Sequence, residues 1–151
     1  MRLGVGADSE GKTVKASRSR AREAALKALY QLDITGDDPE QGLRIFFRHH
    51  KIPLNSQPFV NQLVQGTREH LEEIDRIVGL HATNWTLNRM AIVDRNVLRL
   101  GAYELLFVSE TPPKVVINEA VDLAKRFGTA ESGKFVNGVL DSIHKAEKQV
   151  G

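Results

Sequence analysis

Cysteine is absent from all 151 residues of the sequence. Without it neither disulfide bonds nor thiol chemistry can operate, and a cytoplasmic setting is therefore expected. Long apolar runs are absent too. No segment approaches the length that spans a bilayer, and residues 1–16 lack the apolar stretch of a signal peptide. These absences exclude the disulfide-rich and membrane-spanning classes and predict a protein without membrane contact.

Signatures of catalysis are scarce as well. The histidines show neither the H-E-x-x-H pattern nor another metal-ligand spacing, and no G-x-S-x-G nucleophile motif is present. They are His49, His50, His70, His81 and His144. The sequence therefore predicts no catalytic residue, no metal site and no cofactor.

One stretch does match an enzyme motif. GTAESGKF, from Gly128 to Phe135, fits the phosphate-binding pattern G-x-x-x-x-G-K in its first seven residues. That pattern continues with a Ser or Thr whose hydroxyl holds Mg²⁺, but the side chain of Phe135 contains no oxygen. A phosphate loop also follows a strand. The preceding apolar residues recur instead at helical spacing, as Val116, Ala120, Leu123 and Phe127. We therefore predict a joint between two helices and no nucleotide binding.

Apolar periodicity predicts an all-α protein, a compact bundle of about seven helices. The predicted helical segments are approximately 18–33, 38–50, 57–79, 89–108, 113–127 and 131–148. Gly66 and Gly79 are candidate breaks in the third segment. Residues 1–16 are predicted to form a disordered basic tail ahead of a helical domain at 17–151.

Two side chains inside this pattern carry specific expectations. Glu104 falls within the apolar arc of the segment 89–108, and we expect it to pair with a buried donor rather than to catalyse a reaction. Trp85, the only tryptophan, is expected to pack between helices.

The charge is small overall but uneven. The formal net charge is +2, yet residues 1–27 hold seven basic and three acidic residues. Seven minus three gives +4 there and leaves −2 for the remainder. A basic leading end on a slightly acidic body is typical of nucleic-acid binding, but a solvated tail has the same composition. Composition alone leaves both interpretations open.

The stretch RSRARE, Arg18 to Glu23, favours nucleic acid. Cations in the first turns of a helix oppose the macrodipole, so helix stability alone would favour acids there. At about 100° per residue, Arg18 and Arg22 lie on one side of the helix and Arg20 lies nearly opposite, near Lys27. Guanidinium groups that fan around a helix start suit a flexible strand, because they pair with phosphates and stack on bases.

Three stretches carry a family resemblance: RSRAREAALKALYQLD, VDRNVLRLGAYELLF and VVINEAVDLAKRFGTAESGKFVNGVLD. From about Ser17 to Lys145 the chain resembles the NusB transcription antitermination family. The resemblance implies an all-helical fold of two small helical subdomains and a non-enzymatic role. It also implies binding to the single-stranded boxA element of ribosomal RNA leaders. The implied partner is NusE, a small-subunit ribosomal protein, within an antitermination complex on RNA polymerase. Family members include monomers and dimers, so a homodimer is left open.

The resemblance also implies a set of site residues. The arginine-rich helix start is expected to contact RNA phosphates, and the helix joint is expected to contribute to the same face. The partner and RNA surfaces are expected to meet on the helix that begins with VDRN. The implied RNA-binding residues are Arg18, Arg20, Arg22, Lys27, Tyr30, Arg99, Phe127, Gly128, Glu131, Ser132 and Lys134. The implied partner-binding residues are Tyr30, Asp94 and Arg99.

Two other functional classes stay open. The same helical module precedes RNA methyltransferase domains, although no cofactor-binding domain is expected in a chain that reaches Gly151 without one. A pure protein-interaction bundle with an incidental basic end is the other. A steep salt dependence of RNA binding separates the RNA-binding class from such a bundle. The family's arginine run is interrupted here by Ser19 and Ala21, and residues 1–16 have no counterpart in the family.

Overall fold

The computed structural model describes the backbone of residues 7–147 and the side chains of residues 14–147. That part of the chain contains seven α-helices and two short 3₁₀ turns, and no strand. The helices are α1 (Ala7–Thr35), α2 (Pro39–His49), α3 (Gln57–Glu69), α4 (Leu71–His81), α5 (Ile92–Phe107), α6 (Pro113–Phe127) and α7 (Ser132–Ala146). None of these helices is both long and apolar enough to cross a bilayer. The prediction of an all-α protein with about seven helices is confirmed.

Local sequence signals set the start of α2. The carboxylate of Asp38 accepts a hydrogen bond from the backbone N–H of Gln41 at 3.3 Å. Pro39 follows as the first helical residue, where its missing N–H leaves no bond unmade. The segment predicted at 113–127 likewise coincides with α6. Both results confirm boundaries that depend on residues close together in the chain.

The first helix begins earlier than predicted. We expected a disordered tail over residues 1–16 and a helix from about Arg18, but α1 starts at Ala7 and so includes residues 7–16. Nucleation is the costly step of helix formation, and each further residue adds a hydrogen bond. A helix anchored by its buried part can therefore extend along the adjoining sequence. Residues 1–6 of the predicted tail lie outside the described residues.

The break in the third predicted segment lies at His70 and not at Gly66. The His70 ring stacks on Phe107 with the ring centroids 4.1 Å apart, a contact that periodicity could not reveal. Gly66 remains inside α3, where the Tyr103 ring occupies the position into which a Cβ would project. Gly79 lies in the last turn of α4. The chain therefore turns where a distant ring anchors it, and not where glycine permits a turn.

α5 is the central element of the bundle. It packs against α1, α3, α4, α6 and α7, and every side chain from Asn96 to Leu106 is buried. On one side of it α1, α2 and α3 pack against one another. On the other side α6 and α7 form the largest helix pair, and α4 packs on α5 and α7. These two groups correspond to the two small helical subdomains that we expected.

Candidate nucleic-acid interface

One face of α1 remains uncovered over three turns. Arg20, Lys27 and Tyr30 are exposed on it, and Glu23 lies between the two cations. The spacing of three and four residues places these side chains on one side of the helix. The apolar stripe on the rest of the helix is buried in the core, as Ala21, Ala25, Ala28, Leu29 and Leu32. Burial of that stripe turns the Arg20 face towards solvent.

The last turn of α6 meets this face and adds a cation and an aromatic ring. Arg126 Nη2 donates to Glu23 Oε1 at 2.6 Å, and Lys27 Nζ donates to Glu23 Oε2 at 3.1 Å. The Phe127 ring lies beside both cations, with its centroid 5.7 Å from Lys27 Nζ and 5.0 Å from Arg126 Cζ. Two helices far apart in sequence thus build one surface of charge and aromatic area.

We call Arg20, Lys27, Tyr30, Arg126 and Phe127 the α1–α6 patch. Three of its members are cationic, and Glu23 is the carboxylate hydrogen-bonded among them, so three minus one leaves a charge of +2. The hydrogen bond from Arg126 lowers the pKa of Glu23, and this effect outweighs the opposing effect of partial burial. The carboxylate is therefore ionised and occupied by its own neighbours. Excess positive charge beside exposed rings can hold the phosphates and stack the bases of a single strand.

GTAESGKF forms the helix joint that we predicted. α6 ends at Phe127, Gly128 caps it in an extended conformation, and α7 begins at Ser132. The Ser132 hydroxyl accepts a hydrogen bond from the Thr129 N–H at 2.9 Å. A Cβ on Gly128 would lie 2.7 Å from the Cβ of Ser132, so only glycine allows this close packing. A helix stands where a phosphate loop requires a strand, and the motif therefore lacks its structural context.

The joint residues do not all face outwards. Phe127, Gly128, Glu131 and Lys134 are exposed, so their expected contact with RNA stays a prediction. Ser132 is 1% exposed, and its hydroxyl holds the loop instead of reaching a ligand. The expectation that Ser132 binds RNA is therefore corrected. Its buried hydroxyl stabilises the joint between α6 and α7.

Arg22 departs most from the expectation that the arginines around the start of α1 contact RNA. Its side chain is 5% exposed and forms a bidentate ion pair with Glu104, at 2.9 Å from Nε and 2.7 Å from Nη2. Arg22 Nη1 also donates to Glu119 at 2.9 Å. Burial lowers the pKa of Arg22, but hydrogen bonds and charges of the two glutamates outweigh burial and raise it. Arg22 therefore ties α1 to α5 and α6 and is not available to RNA, while Glu104 is the core carboxylate with a buried donor that we expected.

Arg99 is occupied in the same way. It is 9% exposed, and its Nε and Nη2 donate to the two carboxylate oxygens of Asp75 at 2.8 and 3.0 Å. Its Nη1 lies 3.3 Å from Asp33 Oδ2. The expected contacts of Arg99 with RNA and partner are therefore not supported, because both faces of its guanidinium fork are already paired inside the fold.

Arg18 lies on the other side of α1, as its helical angle predicts. Its guanidinium carbon is 4.3 Å from the centroid of the Phe59 ring, and Arg22 approaches the same ring at 5.5 Å. Arg18 thus borders a groove between α1 and α3. A strand held at Arg20 would have to cross the helix to reach Arg18, so the predicted fan separates into two surfaces.

Asp94 lines a cavity of about 310 Å³ at the start of α5. Its Oδ1 atom is buried and accepts no hydrogen bond from the described residues. Trp85 borders the same cavity and is 51% exposed, which corrects our expectation that it packs between helices. Glu131 and Phe135 reach the cavity from the helix joint. We call this the Trp85 cavity.

Arg126 was not predicted from the sequence as a site residue. A cation in the last turn of a helix is already explained by the macrodipole, so nothing along the chain distinguished it from other helix-end cations. Only its 2.6 Å bond to Glu23, which lies 103 residues earlier, places it on the α1 face. Within the part of the chain that the structure describes, no group of three His, Asp or Glu side chains could hold a metal ion.

Comparison with known proteins gives one consistent family. The NusB family model matches residues 19–145. Transcription antitermination protein NusB of Desulfatibacillum aliphaticivorans is 46% identical over 139 residues, covering 87% of this chain and 97% of that protein. Its counterpart of the same name in Bacillus licheniformis is 44% identical over 126 residues, covering 83% of this chain and 95% of that protein.

Solved structures give the same match. T. maritima NusB superposes with a TM-score of 0.77 at 42% identity, covering 86% of this chain and 92% of that one. A chain in a crystal structure of antitermination factors NusB and NusE in complex with dsRNA superposes with a TM-score of 0.81 at 35% identity. That match covers 87% of this chain and 98% of the other.

Proposed function

This chain belongs to the NusB family, and we propose from that premise that it binds the boxA element of ribosomal RNA leaders together with NusE. It acts in the cytoplasm as part of an antitermination complex on RNA polymerase and catalyses no reaction. The observation that carries the proposal is the α1–α6 patch, where excess positive charge surrounds exposed aromatic rings. A similar chain solved with NusE and RNA supports it.

The patch defines how a single strand would lie. Arg20, Lys27 and Arg126 hold phosphates, and the rings of Phe127 and Tyr30 carry bases. Stacking of one base on an aromatic side chain contributes about 1–3 kcal/mol and tolerates any base. A charge of only +2 at the patch gives a modest electrostatic term, so we expect modest affinity from this chain alone.

The Trp85 cavity is the proposed partner site. Asp94 lines the cavity and is only partly buried, so we expect an N–H group from NusE to donate to its carboxylate. Trp85 supplies exposed aromatic area, of the kind enriched at protein interfaces. Glu131 lines this cavity, and Phe127 on the same joint belongs to the RNA patch. Because one short joint serves both sites, we expect RNA and NusE to bind cooperatively, with a coupling of about 1–3 kcal/mol.

Titration of labelled boxA-like RNA tests the proposal. The RNA and a scrambled version are titrated into the protein alone and into the preformed pair with NusE. The boxA-like RNA is expected to bind more tightly than the scrambled RNA and more tightly to the pair. Equal affinity for both sequences, with and without NusE, would contradict boxA recognition, and the absence of a salt dependence would then favour the protein-interaction bundle.

Matched variants separate the two sites. Lys27→Gln is expected to weaken RNA binding and to flatten the log–log salt dependence by about 0.7, the value for one phosphate contact on a single strand. Lys114→Gln removes the same charge in the first turn of α6, about 20 Å along that helix from Phe127, and should change neither quantity. Asp94→Lys is expected to weaken NusE binding, whereas Glu72→Lys reverses an exposed charge on α4 as its control. Identical effects in variant and control would contradict the assignment.

A further inference from the structure

A basic groove adjoins the α1–α6 patch. It encloses about 240 Å³ between α1 and the loop that follows α2. One wall is formed by Arg20, Glu23, Ala24 and Lys27, and the other by His50, Lys51, Ile52 and Pro53. The buried Phe46 side chain lies at its base. We call this the α1–α2 groove.

The groove continues the surface of the patch. Arg20 and Lys27 line the groove and also belong to the patch. Lys27 Nζ lies 5.7 Å from the Phe127 ring on one side and borders the groove on the other. A strand that stacks on Phe127 and passes Lys27 therefore reaches the groove without leaving the protein surface.

The charge of the groove favours an anion. Arg20, Lys27 and Lys51 contribute three positive charges, and Glu23 contributes the only negative charge in the lining. Glu23 is already hydrogen-bonded to Lys27 and Arg126. Among the residues with described side chains, no carboxylate lies within ion-pairing distance of Arg20 or Lys51. Two unneutralised cations facing one cleft suit a phosphate, which accepts hydrogen bonds from both.

An aromatic ring in the groove is held in place. The His50 ring stacks on Phe46, with centroids 4.1 Å apart and planes 19° apart. Its Nδ1 lies 3.1 Å from the Phe46 carbonyl oxygen, which can only accept, so Nδ1 carries the proton. His50 is exposed on its remaining surface. A fixed and exposed ring in the lining of the groove is a stacking surface for a base.

We propose that the α1–α2 groove is a subsite for one nucleotide that flanks the core boxA element. Its phosphate lies between Arg20 and Lys51, and its base lies against His50. This inference rests on the proposed function, because it extends the same RNA path beyond Lys27. The volume of about 240 Å³ is on the scale of one nucleotide and not of a longer segment.

RNA length separates the subsite from the core site. The core element is compared with versions extended by one, two or three nucleotides at either end. The wild-type protein gains about fivefold or more in affinity when the extension at one end reaches the groove, as expected for one stacked base. Lys51→Gln and His50→Ala abolish this gain and leave binding of the core element within about twofold, a change typical of a surface charge. An abasic nucleotide in the extension removes the part of the gain that depends on His50.

Controls keep the subsite distinct from general electrostatics and from the proposed function. Lys114→Gln removes an equal charge elsewhere and preserves the gain. Absence of any gain on extension overturns the subsite, and so does an equal loss on core and extended RNA in Lys51→Gln. If the core element itself fails to bind, the proposed function fails. The subsite is then tested by measuring the affinity of the variants for an unrelated single-stranded RNA. Weaker binding of that RNA to Lys51→Gln than to Lys114→Gln supports the subsite, and equal binding overturns it. An Asp- and Glu-rich peptide that binds through Lys51 where RNA does not would identify a protein ligand and overturn it as well.

Discussion

Replacement of Arg22 by Ala tests whether this arginine serves the fold or the RNA. Arg22 makes two bonds to Glu104 and one to Glu119, at 2.7 to 2.9 Å. The variant removes all three and leaves the Glu104 side chain, 2% exposed, without its donor. Glu119 keeps the Ser19 hydroxyl as a donor at 2.6 Å and is partly exposed, so it loses less. The cost therefore centres on Glu104.

The expected loss of folding free energy is about 3–5 kcal/mol, the usual cost of removing one partner of a buried ion pair. A domain of this kind has a total stability of about 5–15 kcal/mol, so the variant loses a large share of it. An exposed pair behaves differently. Arg44 and Glu40 lie 3.4 Å apart on α2 with both side chains mostly exposed, and Arg44→Ala should cost under about 1 kcal/mol.

Urea unfolding followed by circular dichroism measures both variants against the wild type. A second variant, Arg22→Met with Glu104→Leu, fills the same space with apolar atoms and should recover much of the loss. A loss below about 1 kcal/mol in Arg22→Ala would refute the desolvated pair. Unchanged stability combined with weakened RNA binding would restore Arg22 to the RNA face that the sequence suggested.

Gly66→Ala is expected to lower stability by about 1–3 kcal/mol, because the new Cβ would overlap the rigid Tyr103 ring; an unchanged Tm would show that the contact yields freely. Phe127→Ala is expected to weaken boxA-like RNA binding by about 1–3 kcal/mol with unchanged circular dichroism, since the ring is already 36% exposed; equal affinity would remove Phe127 from the RNA path. Asp33→Asn is expected to flatten the acid limb of the stability curve. Burial raises the pKa of Asp33, but hydrogen bonds from α5 outweigh it and lower the pKa below 3.8. The contribution of this carboxylate is therefore present above pH 3.8 and lost as the pH falls further, so urea midpoints at pH 7 and pH 3 should differ less in the variant. ATP is expected not to bind specifically, and saturable binding that disappears in Lys134→Ala would contradict this.

Helix identity could be predicted because it depends on near neighbours in the chain. Asp38 and Pro39 set the start of α2 through bonds within one turn. The apolar spacing of α6 indicated a helix, and the prolines before it and Gly128 after it marked its two ends. His70 marks the limit of this reasoning, because α3 ends there and the His70 ring stacks on Phe107, 37 positions further along the sequence. No pattern within α3 and α4 contains that contact.

The candidate site divides in the same way. The sequence by itself determined which residues are charged or aromatic and at which angle each leaves its helix, so the divergence of Arg18 and Arg20 was predictable. Only the tertiary structure decided which of them remain free. Arg22 is paired with Glu104, 82 residues away in sequence, and Arg99 is paired with Asp75, 24 residues away. A cation can reach a ligand only if its side chain stays exposed, and that depends on where distant segments of the chain meet when the core is buried.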